Sequence, residues 1–369
     1  MSSEKVEDLV KKALKEAMDK RKTAAPESKD SSTPVDMLGE PLVEESKESG
    51  RVKIKPNQKL LSEIISDPLI PPEEDFGITV FHDYKWHESI ASFVPNNNKE
   101  YVLDRELASN ILMAWELGDK VLCYGPTGAG KSSLIEQLCA LTGRPFIRVN
   151  CTGDMDSSMI FGQLTAKDGS TVWVDGAVTE AVRHGAVFAW DEWDVTPPEI
   201  SMGLQWLLED NGKLFLKEMP GETVDKQIIP HENFRLVAIG NTQGQGDESG
   251  AHAGTNVQNS ATLDRFGTAV FVDYLNPLVE EKMIINKYPT INKKFAKELV
   301  KLANLIRSAY KANQFSLTIS PRSLFGVCKK MVYGYPVRKA FALVYLNKLN
   351  DTQRKVAEEL FNKVYGSGV

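Results

Sequence analysis

The sequence predicts an α/β fold, a parallel sheet flanked by helices, followed by an all-helical C-terminal domain. Three observations predict it. Short apolar runs at Val121–Tyr124, Phe146–Asn150, Val187–Asp191, Arg235–Gly240 and Ala269–Tyr274 each feed a loop, as strands buried on both faces do. Helical segments alternate with these runs, and such alternation implies parallel strands with helices on both faces. After Pro277 the alternation stops, and Phe295–Asn313, Pro321–Tyr333 and Asp351–Val364 carry helical patterns with no strand between them.

With 369 residues, the chain has room for about two globular domains and a tail. The expected division is a largely disordered tail over 1–75, an α/β core over 76–276 and a helical domain over 277–369. Residues 1–75 contain no aromatic side chain and are expected to bury little apolar area. Within them Val6, Leu9, Val10, Ala13, Leu14, Ala17 and Met18 follow helical spacing, which fits either a solvated helix or a docking helix for a partner. Residues 23–50 are rich in Ser, Pro, Glu and Lys and read as a linker.

The net charge of −6 supplies no overall basic field, so nucleic acid is not indicated as a partner. No stretch approaches the ~20 apolar residues of a membrane span. The first residues lack the apolar run of a signal peptide, and Cys123, Cys139, Cys151 and Cys328 form no CxxC pair; a cytoplasmic location is expected. The five histidines are scattered without metal-ligand spacing, which argues against a structural zinc site.

The strongest motif is Gly125-Pro126-Thr127-Gly128-Ala129-Gly130-Lys131-Ser132, a full match to GxxxxGK[ST] between a strand and a helix that runs on through Ser133. Glycines let backbone N–H groups curl around phosphate oxygens, and the helix N-terminus adds partial positive charge. Lys131 is expected at the β- and γ-phosphates of ATP and the Ser132 hydroxyl on Mg²⁺.

A second element is Val187-Phe188-Ala189-Trp190-Asp191-Glu192, an apolar strand ending in adjacent carboxylates. Asp191 is expected to serve Mg²⁺, and Glu192 to polarise the attacking water. Alone, an Asp-Glu pair is ordinarily solvated charge; the phosphate loop upstream favours the functional reading. Thr196-Pro197-Pro198-Glu199 reads as a capping box with Pro at the first helical position. Asn241, directly after the strand Leu236–Gly240, either orients the same water or serves the turn.

Lys131, Asp191-Glu192 and Asn241 occur in the order of Walker A, Walker B and sensor 1 of AAA+ proteins. With Asp264-Arg265-Phe266, Ser320-Pro321-Arg322, Trp190-Asp191-Glu192-Trp193-Asp194 and the loop Asn241–Gly250, the chain resembles the MoxR-like branch of AAA+ ATPases, and within it the CobS-type chelatase subunits. The resemblance implies an AAA+ P-loop core with a helical lid, and a ring homo-oligomer, a hexamer in that family's manner. It further implies Arg265 as an arginine finger reaching a neighbouring subunit's γ-phosphate, Arg322 as sensor 2, and a von Willebrand factor A domain protein as partner. Two hairpins match the branch: one turning at Lys167-Asp168-Gly169-Ser170, the other flanking Pro220-Gly221. The function this implies is remodelling of a partner; the alternatives are the ATPase subunit of a cobalt or magnesium chelatase, a nucleic-acid motor, and a nucleotide-gated scaffold.

Overall fold

The computed structural model describes residues 55–242, 244 and 258–366. The helix expected near Val6–Met18 and most of the loop after Thr242 lie outside the described residues. In chain order the first elements are β1 (Gln58–Leu60), α1 (Leu61–Ile65), β2 (Gly77–Thr79), α2 (Glu88–Ala91) and α3 (Arg105–Leu117). Then come β3 (Val121–Tyr124), α4 (Lys131–Thr142), β4 (Phe146–Asn150), α5 (Ser157–Phe161), β5 (Gly162–Lys167), β6 (Ser170–Asp175) and α6 (Ala177–His184). The α/β part closes with β7 (Val187–Asp191), α7 (Pro198–Gln205), β8 (Leu214–Phe215), β9 (Gln227–Ile228), β10 (Arg235–Gly240), α8 (Ser260–Leu263) and β11 (Thr268–Phe271). Five described helices remain in sequence order as α9 (Pro277–Lys287), α10 (Lys293–Lys311), α11 (Pro321–Val332), α12 (Val337–Val344) and α13 (Asp351–Tyr365).

The central sheet has the order β11-β3-β10-β7-β4, and every pairing in it is parallel. Its three inner strands are buried along nearly their whole length, which is why they read as unbroken apolar runs. The two-residue period of a strand divides their side chains between two layers. Val121, Cys123, Val187, Ala189, Val237 and Ile239 pack with α3 and α4. Leu122, Phe188, Trp190, Leu236 and Ala238 pack with α6 and α7 on the other face. All four strand C-termini that matter for function, those of β3, β7, β10 and β4, therefore open on one edge.

Within the tail expected to be largely disordered over 1–75, regular structure begins at Gln58. β1 pairs antiparallel with β2, and Leu61, Ile64 and Ile70 are buried in the α3–α4 layer. Aromatic residues are not needed here, because aliphatic side chains suffice when a neighbouring helix face is already built. The capping box at Thr196 is also not formed. Pro198 begins α7 with no side-chain cap, while the Thr196 hydroxyl accepts a hydrogen bond from Trp190 Nε1 at 2.8 Å. A buried indole donor outcompetes the helix N-terminus for that oxygen.

The first hairpin forms across β5 and β6 with six paired positions. Its turn is Asp168-Gly169, both at positive φ (51° and 77°), the backbone that a two-residue turn of the right twist demands. The second hairpin is reduced to two paired positions between β8 and β9.

The helical segment owns a separate apolar cluster, built on Leu299, Leu302, Ile306, Leu324, Val327, Phe341 and Phe361. At its border with the sheet lies a buried ion pair. Arg307 meets Glu280 with both terminal guanidinium nitrogens, at 2.7 and 2.8 Å, and donates Nε–H to the Ile319 carbonyl at 3.0 Å. The guanidinium also stacks 4.0 Å from the centre of the Tyr274 ring. Removing one partner strands the other charge in the interior. Arg307→Ala is expected to destabilise the fold by about 3–5 kcal/mol in urea unfolding; a loss below about 1 kcal/mol, the range of a surface pair, would show that Glu280 is not held as a buried charge.

Candidate functional site

The loop Gly125–Gly130 leaves β3 and turns into α4. Gly125, Gly128 and Gly130 all adopt positive φ, at 150°, 76° and 98°. At two of these, space is as decisive as backbone. A Cβ on Gly125 would lie 2.1 Å from the Val272 carbonyl oxygen, and one on Gly128 would lie 2.5 Å from Ser320 Cβ. Ser320 caps α11, so the start of the helical segment rests directly on the loop. Gly130 precedes α4 without any side-chain cap, and the first turn of α4 carries no acid. The N–H groups of that turn are thus left to an anionic ligand.

A cavity of about 950 Å³ opens beside the loop. Thr127, Gly128, Ala129, Gly130, Lys131, Ser132 and Ser133 line one wall, and Asp191, Glu192 and Asn241 another; Arg322 approaches from α11. Gly125 and Pro126 stand at the root of the loop, behind the lining. Arg265 does not line this cavity. Its Nε donates to the Glu209 carboxylate at 2.6 Å and its Nη1 to the Ala261 carbonyl at 2.8 Å, on the exposed side of α8.

Within the cavity the polar groups are mutually bonded. Lys131 Nζ, 7% exposed as a residue, donates to the carbonyls of Gly125 (2.8 Å) and Pro126 (3.1 Å) and to Asn241 Oδ1 (3.0 Å). Burial holds this ammonium below the ordinary lysine value, opposed in part by Glu192, Asp191 and Asp194. Asn241 Nδ2 donates to Glu192 Oε2 at 2.9 Å. Asn241 therefore joins the lysine to the candidate base with one amide. Glu192 itself sits at φ +55°, and burial, then Asp191 and Asp194, push its carboxyl above the usual range. The Ser132 hydroxyl donates to Asp191 Oδ2 at 2.9 Å. A hydroxyl and a carboxylate side by side are hard oxygen donors that suit Mg²⁺. Uncapped N–H groups, buried lysine and paired oxygens fit a magnesium nucleotide.

Three residues to which the sequence analysis assigns no role also shape the site. Arg148, on β4, donates Nε to Asp191 Oδ2 at 2.5 Å, and its Nη2 pairs with the same oxygen. Tyr274 donates its hydroxyl to the Thr127 carbonyl at 2.8 Å and lies 3.0 Å from the Thr318 hydroxyl, bridging the loop to the helical segment. Asp194, buried three residues after Asp191, accepts from the backbone at Asn241 and Thr242. The spacing Asp191-Glu192-x-Asp194 was a visible signal for the last; the other two are long-range contacts with no local signature. Among the described residues there is no further cluster of metal-ligating side chains.

A glycine loop on a helix N-terminus, facing an acidic strand end across one cavity, defines a nucleotide-binding P-loop protein. Comparison with known proteins narrows the class. Residues 120–266 match the AAA domain of the dynein-related subfamily, and residues 281–362 match the CbbQ/NirQ/NorQ C-terminal family. The aerobic cobaltochelatase subunit CobS of Sinorhizobium sp is 28% identical over 310 residues, 82% of this chain and 92% of that protein. An uncharacterized protein of Staphylococcus aureus is 27% identical over 256 residues, 68% of this chain and 91% of its own. The Thermotoga maritima RuvB Holliday junction branch migration motor aligns in structure with a TM-score of 0.40 and 17% identity over 73% of each chain. The chain thus carries an AAA domain followed by a segment of the CbbQ/NirQ/NorQ C-terminal family, and it is an enzyme that hydrolyses ATP.

Gly125→Ala tests the loop's backbone. Strain of about 1–3 kcal/mol and the collision with Val272 are expected to weaken ATP binding ~10-fold or more. Titration with a fluorescent ATP analogue reads the change, and unaltered affinity would place the nucleotide away from this loop.

Proposed function

We propose that this chain is the ATP-driven subunit of a ring, in the hexameric manner of its family, that remodels a partner protein. The observation that carries the reading is the division of the candidate machinery. Lys131, Ser132, Asp191, Glu192 and Asn241 share one cavity, whereas Arg265 lies outside it on an exposed edge. Within one subunit, Arg265 has no part in the site. A finger supplied to the next subunit resolves this, and makes hydrolysis conditional on assembly.

In this reading the backbone of Gly128–Gly130 and Lys131 hold the phosphates. Ser132 and Asp191 hold Mg²⁺, which neutralises charge on the β- and γ-phosphates when bound. Glu192 accepts the proton of the attacking water, and Asn241 orients Glu192 through its amide. Arg322 senses the nucleotide from α11, and Arg265 of the adjoining subunit offsets charge that develops at the γ-phosphate. Gly128 against Ser320, and Tyr274 against Thr127 and Thr318, give the helical lid (277–369) its grip on the core (76–276). The hairpin β5–β6 exposes Leu164 on one face and Val174 on the other, apolar contacts open to a protein client. By family analogy that client carries a von Willebrand factor A domain. The four cysteines are all buried and free, which supports a reducing, cytoplasmic setting.

A second reading is favoured by one observation, the 28% identity to CobS along 92% of its length. The ATPase then drives cobalt or magnesium insertion as part of a chelatase. Co-purification separates the two: a large chelatase subunit supports the second, a von Willebrand factor A protein the first.

Glu192→Gln is expected to bind ATP normally and to turn over at a background rate; a mutant with normal turnover removes Glu192 as the base. Arg265→Ala is expected to keep ATP affinity and to lose ~10³-fold in turnover. Mixing the two inactive variants tests the subunit boundary. Sites with Glu192 from one variant and Arg265 from the other are complete, so activity should reappear. A mixture as inactive as its components would assign Arg265 to its own chain's ion pair with Glu209.

A further inference from the structure

The three acidic residues after Ala189 differ in what they touch. Asp191 meets Ser132, Glu192 meets the Asn241 side chain, and Asp194 meets the Asn241 backbone. Asp194 is fully buried. Its Oδ2 accepts three hydrogen bonds: Asn241 N–H at 3.1 Å, Thr242 N–H at 3.0 Å and the Thr242 hydroxyl at 2.9 Å. Its Oδ1 is buried with no hydrogen-bond partner. A buried carboxylate with one oxygen unsatisfied costs stability, so its retention calls for a reason other than packing.

We propose that Asp194 is a positioning residue for ATP hydrolysis, acting through Asn241. Two successive N–H groups converging on one oxygen set the backbone where β10 ends, and with it the direction of the Asn241 side chain. The opposite end of that side chain is bonded to Glu192 and Lys131. Asn241 is thus held at root and tip by residues of the same short turn, Glu192 to Asp194. The packing behind it is equally tight. A Cβ on Gly240 would lie 2.5 Å from Trp193 Nε1 and 3.2 Å from Asp194 Cγ, so only glycine lets the strand end approach the turn. The Asp194 carbonyl also accepts from Gln258 Nε2 at 3.5 Å, while Gln258 N–H donates to the Gly244 carbonyl at 2.7 Å. One turn therefore organises the chain leaving Asn241 and the chain returning toward Arg265.

This inference rests on the role given above to Asn241, and the experiment separates the two. Steady-state ATPase kinetics and fluorescent-nucleotide binding would be measured for Asn241→Ala, Asp194→Ala, the double variant and Asp194→Asn in the full chain. Asp194→Ala is expected to lower kcat ~10-fold or more, the size of effect that a displaced catalytic group produces, with KM and ATP affinity within about twofold. The double variant is expected to be no slower than Asn241→Ala, because the anchor acts only through Asn241. Asp194→Asn keeps an acceptor for the three donors and is expected to recover most of the kcat that alanine loses. Losses that multiply in the double variant, or a normal kcat for Asp194→Ala beside an impaired Asn241→Ala, overturn the proposal and leave the role of Asn241 standing. A normal kcat for Asn241→Ala overturns both. Should Asp194→Ala not fold, Thr242→Val removes one of the three donors and is expected to lower kcat with KM unchanged; an unchanged kcat there counts against the proposal.

Discussion

One buried cation confronting a cluster of carboxylates governs this structure. Lys131 is nearly inaccessible to solvent; two loop carbonyls and Asn241 hold its ammonium, and the acids at the end of β7 act on it through space. Burying a lone lysine costs far more than a single hydrogen bond returns, so the acids, the loop carbonyls and Asn241 must all be in place together. That requirement fixes the spacing between β3, β7 and β10, which are adjacent in the sheet. It also explains why so much polar chemistry sits beneath otherwise apolar strands.

The sheet order turns this electrostatic demand into a site. Placing β10 between β3 and β7 sets Asn241 between the phosphate loop and the acidic pair, although the three lie far apart in the chain. The helical segment joins them through small, close contacts. Ser320 touches the loop at Gly128, and Tyr274 spans loop and lid with one hydroxyl. These contacts depend on the loop's shape, so any change there reaches α11 without an intervening layer of side chains.

The central strands and the phosphate loop were legible in the sequence because their signals are local. An apolar run followed by glycines and a lysine contains its own geometry. Asp191 and Glu192 were legible as the end of such a run. The rest of the site was not, for a physical reason in each case. Arg148 reaches Asp191 across a strand pairing, and only the register of β4 against β7 reveals it. Tyr274 looked like the last residue of a strand, which in fact ends at Phe271, and its hydroxyl acts at a distance. Thr196 obeyed a local capping rule until a buried tryptophan claimed its oxygen. At the N-terminal end, aliphatic residues found a helix face that composition alone does not show.

Lys131 carries one more consequence. Its three acceptors, the Gly125 and Pro126 carbonyls and the Asn241 amide, already occupy every proton of the ammonium. A phosphate entering the loop must exchange for one of them; it does not fill a vacancy. Ligand entry is thereby a swap of partners on a preorganised lysine, with little ordering entropy to offset. The partner given up decides what is transmitted: release of a loop carbonyl is silent, whereas release of Asn241 loosens the amide that steadies Glu192.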